Sequence, residues 1–260
     1  MNYGFIGCGN MGGALASAAA KSVGGKAIYL ADADRAKMEA LAEKIGANGS
    51  SLEEIVKECD YIVLGVKPQG MAALLADFPA KEGAVLVSMA AGLSIDTLSQ
   101  MLGKKAPWIR MMPNTPVAVG EGRILYTVKD ADEKAEEGFL HLFKEAGKLY
   151  KMEEHLIDAG TALSGCGPAF IYLFIEALAE AGMEVGVPQE IAVELAEGTV
   201  LGAAKLAIES GKDPAELRQN VCSPGGSTIE GVKSLEADGL RAIVKQAIEK
   251  SYKRTKELGK

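Results

Sequence analysis

The sequence predicts an α/β fold: a doubly wound, mostly parallel sheet in the N-terminal part, followed by an all-helical C-terminal part. Three observations carry that expectation. Up to about residue 150, short β-rich runs alternate with segments of helical spacing. Beyond residue 156 no convincing strand occurs, and near the start an apolar strand runs straight into Gly7-Cys8-Gly9-Asn10-Met11-Gly12. Alternating strands and helices imply a parallel sheet covered by helices on both faces.

In chain order, Gly4-Phe5-Ile6, Ala27-Ile28-Tyr29-Leu30, Tyr61-Ile62-Val63-Leu64, Ala84-Val85-Leu86-Val87 and Trp108-Ile109-Arg110-Met111 read as buried strands. Between them, residues 34–45 place Met38, Leu41, Ala42 and Ile45 at helical spacing with charges opposite. Ile124-Leu125-Tyr126-Thr127-Val128, a helix around Phe139, Leu142 and Phe143, and Leu149-Tyr150-Lys151-Met152 extend the sheet. Residues 164–181, 188–208, 215–220 and 227–256 read as helices, with Pro188 and Pro214 at first-turn positions where a missing N–H costs nothing. The 188–208 helix is apolar or small on nearly every face, so it needs cover that about 100 residues of helices cannot supply alone. A second subunit is the expected cover. The chain is thereby read as two domains, residues 1–156 and 157–260.

Composition narrows the function. Of 260 residues, 28 are Lys or Arg and 35 Asp or Glu, a net charge of −7, which argues against a general nucleic-acid-binding surface. The 48% hydrophobic content is that of a globular chain. The longest unbroken apolar run, residues 169–175, falls far short of the roughly 20 needed to cross a bilayer, and residues 1–6 do not read as a signal peptide. No membrane association is expected. Cys8, Cys59, Cys166 and Cys222 lie far apart with only His141 and His155 beside them in the composition, so no metal site and a reducing, cytoplasmic setting are expected.

Two glycine clusters carry chemistry. After the strand ending at Ile6, Gly7 permits a tight turn, Gly9 lets a pyrophosphate approach the backbone, and Gly12 lets helix and strand pack closely, with Asn10 and Met11 opening the helix. The phosphates would face free N–H groups at the helix N-terminus. Following a strand, opening a helix and beginning an alternating β/α pattern, the loop reads as dinucleotide-binding, with a structural glycine turn as the alternative. Asp32 follows Gly12 by 20 residues, where a carboxylate takes the adenosine ribose hydroxyls of NAD and repels the extra phosphate of NADP; the alternative is a cap for the helix starting near Asp34. Arg35 stands close enough to accommodate that phosphate, so the preference leans to NADH with NADPH still open. The second cluster, Asn220-Val221-Cys222-Ser223-Pro224-Gly225-Gly226-Ser227-Thr228, gathers backbone N–H groups and hydroxyls without a charged side chain. Such a nest suits a small carboxylate; a Pro-Gly turn with a Ser/Thr helix cap is the structural alternative.

The 221–228 segment, with Gly231 and Leu235-Glu236 downstream, resembles the signature of pyrroline-5-carboxylate reductases. The resemblance extends through Gly4 to Gly12, Val66-Lys67-Pro68, Met112-Pro113-Asn114-Thr115-Pro116 and Ser164-Gly165-Cys166-Gly167-Pro168-Ala169, in order and spacing. It implies a Rossmann domain, a helical domain that interlocks with a second subunit, and NAD(P)H-dependent reduction of L-1-pyrroline-5-carboxylate to L-proline, NADPH being usual. It also implies that Gly65-Val66-Lys67-Pro68 and Met89-Ala90-Ala91 face the cofactor, that Asn114 lies beside the nicotinamide, and that Asn220 reaches the cofactor from the helical domain. Glu154 resembles a substrate-side carboxylate, with an exposed surface glutamate as the alternative. Ser223, Gly225, Gly226, Ser227 and Thr228 would hold the substrate, Thr228 hydrogen-bonding the ring nitrogen. The family's NADPH-using members place a polar residue and then Arg or Ser where Asp32 and Ala33 stand, and often an Asn where Leu52 stands. Two other readings are a β-hydroxyacid dehydrogenase, whose catalytic lysine is replaced here by Ile171, and a non-catalytic NAD-binding regulator, which would lose the nest.

Overall fold

In a computed structural model, which describes residues 1–258, the chain divides by packing into two compact units. One comprises Met1–Pro168 and the chain from Ser251; the other is Ala169–Lys250. The change of sequence pattern sets a line at 156/157, whereas packing draws the seam at Pro168. The reason is that Ile157 is fully buried in a small core with Met112 and Leu125 of the sheet.

The first unit is built on β1 (Tyr3–Ile6), α1 (Asn10–Val23), β2 (Ile28–Ala31), α2 (Arg35–Ile45), β3 (Asn48–Gly49), α3 (Leu52–Glu58), β4 (Tyr61–Leu64), α4 (Pro68–Leu75), β5 (Val85–Ser88), α5 (Ile95–Leu102), β6 (Trp108–Met112), β7 (Gly122–Lys129), α6 (Glu133–Leu142), β8 (Gly147–Lys151) and α7 (Glu154–Gly160). The eight strands form one sheet in the order β3-β2-β1-β4-β5-β6-β7-β8. Every pair is parallel except β6 with β7, where a single reversal begins the extension. The two-residue β3 lacks any apolar alternation and was not expected from the sequence.

Strands β1, β4, β5 and β6 are buried along their whole length, as strands covered on both faces must be. Side chains alternate between the faces. Phe5, Val63, Val87, Ile109 and Met111 pack with Leu15, Phe139 and Phe143, while Ile6, Ile62, Leu64, Leu86 and Trp108 pack with Ile55, Met71 and Leu75. Short polar side chains cap several of the helices: Ser51 and Glu54 form a reciprocal capping box on α3, and Asp34, Ser94 and Asp132 cap α2, α5 and α6.

A π-helical turn, Thr161–Gly165, follows α7 and leads into α8 (Gly167–Glu184). The chain continues with α9 (Gln189–Ser210), α10 (Pro214–Asn220), α11 (Ser227–Ala237) and α12 (Leu240–Leu258), the last of which passes from the second unit into the first at Ser251. Three expectations need correction here. The single helix over 227–256 is two, because Gly239 with φ +80° breaks it. The helix over 164–181 begins after a π turn, and Pro188 stands at the N-cap of α9 and not in its first turn. Pro214 does take the first turn of α10.

Within the second unit only Ala179, Ala192 and Ala196 form a buried cluster, while Leu173, Leu195, Leu201 and Leu206 are all more than half exposed. The run Glu154–Glu184 is also long and apolar enough, by length and composition, to span a bilayer. Counting unbroken apolar residues overlooks it, since Ser164, Gly165, Gly167, Pro168 and Glu176 interrupt the run without bringing the mean hydropathy of the longer stretch down far. The single chain thus leaves its helices uncovered, as the 188–208 pattern requires.

One surface pair ties the start of the sheet. Asp60 accepts from the Asn2 N–H at 2.8 Å and from Lys81 Nζ at 2.7 Å. Burial pushes its carboxyl up, but the Lys81 and Asn2 hydrogen bonds outweigh this and hold it below the ordinary value. The stabilisation is therefore present above the unfolded value near pH 4 and is lost as pH falls through the folded value. Asp60→Asn should lower the melting temperature at neutral pH by about 1–2 °C, the pair being over a third exposed, and flatten the acid limb of the stability curve, as thermal melts between pH 7 and pH 2 would show.

Candidate active site

The sheet order reverses direction at β1, which sends its chain first to β2 and later to β4. Open α/β sheets bind ligands in the crevice beyond such a switch point. Three glycines make the turn possible. Gly7 has φ +100°, and a Cβ there would stand 2.7 Å from the Gly65 carbonyl oxygen. A Cβ on Gly12 would fall 2.0 Å from the Gly7 oxygen, and one on Gly65 would meet the Met89 methyl at 2.8 Å. These are filled spaces. At Gly9 nothing lies within 4 Å of the Cβ position, so the backbone there is open to approach from outside. Gly9 is also the N-cap of α1 and offers no side chain to the helix, leaving the first-turn N–H groups to a ligand. The arrangement fits a dinucleotide pyrophosphate.

Around this turn the structure assembles the expected cofactor residues of the first unit. Ile6, Gly7, Gly9, Asn10, Met11 and Gly12 follow β1, Asp32 follows β2, Gly65, Val66, Lys67 and Pro68 follow β4, Met89, Ala90 and Ala91 follow β5, and Asn114 follows β6. All stand beyond the carboxyl ends of their strands or at them. Lys67 is the exposed N-cap of α4, with Pro68 in the first turn.

Asp32 is not the cap of α2; Asp34 fills that place, accepting from the Lys37 N–H at 3.1 Å. Asp32 turns to the glycine loop, accepting from the Cys8 N–H at 2.5 Å and the Asp34 N–H at 2.8 Å. Its carboxylate is thereby fixed at the end of β2. Burial, then the Asp32 charge, pushes the Cys8 thiol up to about 11, so Cys8 is a protonated packing residue and not a nucleophile.

Asn114 is buried, and both ends of its amide are used. Its Nδ2 donates to the Ser164 carbonyl at 3.0 Å, and its Oδ1 accepts from the Arg123 N–H at 2.8 Å. Glu154 is no free surface glutamate: Oε1 accepts from the Ile95 N–H at 2.6 Å and lies 3.5 Å from Arg110 Nη1. Arg110, 2% exposed, also donates from Nη2 to Asp158 at 2.5 Å, while its Nε is buried without a partner. The sequence reading missed Arg110 and Asp158. The signal was there, an arginine inside an otherwise apolar strand and two acids at helical i, i+4 spacing in Glu154 and Asp158.

In the second unit, Ser223, Pro224, Gly225 and Gly226 form a turn with the Gly226 N–H donating to the Ser223 carbonyl at 3.0 Å. Proline at the second place and Gly225 at φ +70° in the third give the type II pattern. A Cβ on Gly226 would collide with Ser223 Oγ at 2.5 Å. Gly226 is then the N-cap of α11, again without a side-chain cap, and Ser227 and Thr228 occupy the first two exposed helical places. The Ser/Thr-cap alternative therefore does not hold, and the N–H groups remain available. Asn220 ends α10, exposed. Among the described residues no cluster of His, Cys, Asp and Glu could hold a metal ion.

Comparison with known proteins adds the following. Residues 154–258 match the profile described as pyrroline-5-carboxylate reductase dimerisation, and residues 2–92 match one described as NADP oxidoreductase, coenzyme F420-dependent. The chain is 40% identical over 261 residues to the pyrroline-5-carboxylate reductase of Arabidopsis thaliana, covering 98% of this chain and 94% of the relative. It is 36% identical to that of Escherichia coli strain K12 over 270 residues, covering 99% and 98%. The crystal structure of the Plasmodium falciparum pyrroline carboxylate reductase with NADP bound superposes with a TM-score of 0.89 at 32% identity, covering 100% of this chain and 98% of that one.

Gly9 and Gly12 can be separated by experiment. Gly9→Ala should lower the melting temperature by no more than about 3 °C yet weaken NAD(P)H binding at least about tenfold. Gly12→Ala should cost about 5 °C or more because helix and turn must part. Thermal melts and nicotinamide fluorescence titrations check both.

Proposed function

The chain belongs to the pyrroline-5-carboxylate reductase family, and from that premise we propose how its own residues carry the reduction of L-1-pyrroline-5-carboxylate to L-proline with NAD(P)H. The observation that carries the cofactor half is the open Cβ position at Gly9 between packed Gly7 and Gly12. Asn10, Met11 and the first turn of α1 would hold the pyrophosphate, Asp32 the adenosine ribose, and the residues after β4 and β5 the nicotinamide side. Asn114 would act there through the backbone it ties, its amide being engaged.

When bound, the reduced nicotinamide supplies the hydride that converts the C=N carbon into an amine carbon. The protein supplies geometry. The N–H groups and hydroxyls of residues 223–228 hold the substrate carboxylate by dipoles, needing no cation. The Thr228 hydroxyl hydrogen-bonds the ring nitrogen and orients it. An imine is readily protonated from solvent, which suits a chain with two histidines and no candidate general base in these motifs. Ile171, on α8, puts an apolar side chain where the dehydrogenase reading needs lysine.

The dimerisation region points to a homo-oligomer. We take it further: the exposed leucines of α8 and α9 are covered by a second subunit, as a dimer or a multiple of dimers, and not by lipid. By role, residues 1–156 serve the cofactor and 157–260 the substrate and the subunit contact. No nucleic acid or membrane partner is invoked, and the setting is cytoplasmic.

Purified protein given the substrate should oxidise NADH or NADPH, and failure with both would overturn the reading. Thr228→Ala should lower kcat about a hundredfold with cofactor affinity retained. Asp32→Ser should shift the kcat/KM ratio toward NADPH about tenfold, measured with both cofactors side by side.

A further inference from the structure

The Arg110 cluster has a path to the glycine turn. Ile95 is the first residue of α5, and its N–H is one of the donors a helix leaves without an internal partner. The Glu154 carboxylate takes that N–H, where the helix dipole also favours a negative charge. Between β5 and α5 lie residues 89–94. Within that loop the Ala90 N–H donates to Ser88 Oγ at 3.3 Å, Leu93 is buried, and Ala91 packs on the core of Met112, Leu125 and Ile157. At its start, the Met89 methyl fills the space beside Gly12 and Gly65, 3.6 Å and 2.8 Å from where their Cβ atoms would stand. Met89 is thus a wall of the cradle, and the loop behind it is held at its far end by Glu154.

We propose that Glu154 is a positioning residue for the nicotinamide cofactor: by tying the first N–H of α5 to buried Arg110, it sets the 89–94 loop against the glycine turn. This rests on the reductase reading above and replaces the substrate-side role that family resemblance implies for Glu154. The geometry disfavours that role. Oε1 is already engaged by an N–H and faces a guanidinium, which offsets most of the field a lone carboxylate would place on a cationic imine. Arg110 in turn is held by Asp158 and has almost no exposure, so the anchor point is rigid.

The test uses the full chain and measures NADH and NADPH binding by fluorescence without substrate, beside steady-state kinetics. Wild-type binding and turnover come first; their absence would defeat the reductase reading itself and not the role of Glu154. Glu154→Ala should raise the cofactor Kd about tenfold, since a charge-assisted hydrogen bond to the loop is lost, with the substrate KM within about twofold. Glu154→Gln keeps an oxygen acceptor for Ile95, so it should restore the cofactor Kd to within about threefold of wild type with kcat retained. A cofactor Kd unchanged in Glu154→Ala would overturn the proposal. If that variant does not fold, Glu154→Gln decides: a kcat loss of about tenfold at unchanged cofactor Kd would return Glu154 to the substrate.

Discussion

The close approach of two strand ends governs this molecule. Where β1 turns into α1, the Gly7 carbonyl lies 2.0 Å from the place a Cβ on Gly12 would take, and the Gly65 carbonyl bars any Cβ on Gly7. The backbone must pass there bare. That allows α1 to start directly above the sheet with its N–H groups aimed outward, and it lets the ends of β4 and β5 crowd in from the other side. Met89 completes the packing with its flexible thioether end, a suitable filler for an irregular gap. The cradle is therefore a consequence of how tightly the sheet closes at its switch point.

A different device closes the far side of the sheet. After five parallel pairings, β7 runs antiparallel to β6, and α7 returns over that pair with Ile157 in its core. Burying Arg110 among apolar strands would be costly without partners; Asp158 and Glu154 supply them. Just beyond, the π turn changes the carbonyl spacing of the helix, and the Ser164 carbonyl is taken by Asn114. Charge and amide together fasten the stretch between the sheet and the first long helix.

The helical unit repeats a local geometry of the first, a glycine N-cap without a capping side chain. The overall charge is −7, while both the dinucleotide and the proposed substrate are anionic. Each glycine cluster leads into a helix whose N-cap is a glycine with no capping side chain, so local backbone dipoles face outward whatever the overall charge. A serine or aspartate cap would satisfy those N–H groups internally and stabilise the helix more. Leaving them free trades that stability for a place where an anion can bind.

How much of this was legible beforehand follows from the range of the interactions involved. The strands and the glycine turns depend on neighbours within a few positions, so the close packing at Gly7 and Gly12 and the turn at Pro224-Gly225 could be read directly. The uncovered apolar helix was legible too, because its composition alone demands a partner. Distinguishing Asp34 from Asp32 as the cap, splitting the last helix at Gly239, and finding the two-residue β3 needed backbone geometry. The tie from Arg110 through Glu154 to Ile95 joins Glu154 to residues 44 and 59 positions away. By itself the sequence determined which chemistry the chain can do, since that resides in local backbone shape. Only the tertiary structure decided which polar side chains are spent on holding that shape, because such pairing is set by distance in space and not along the chain.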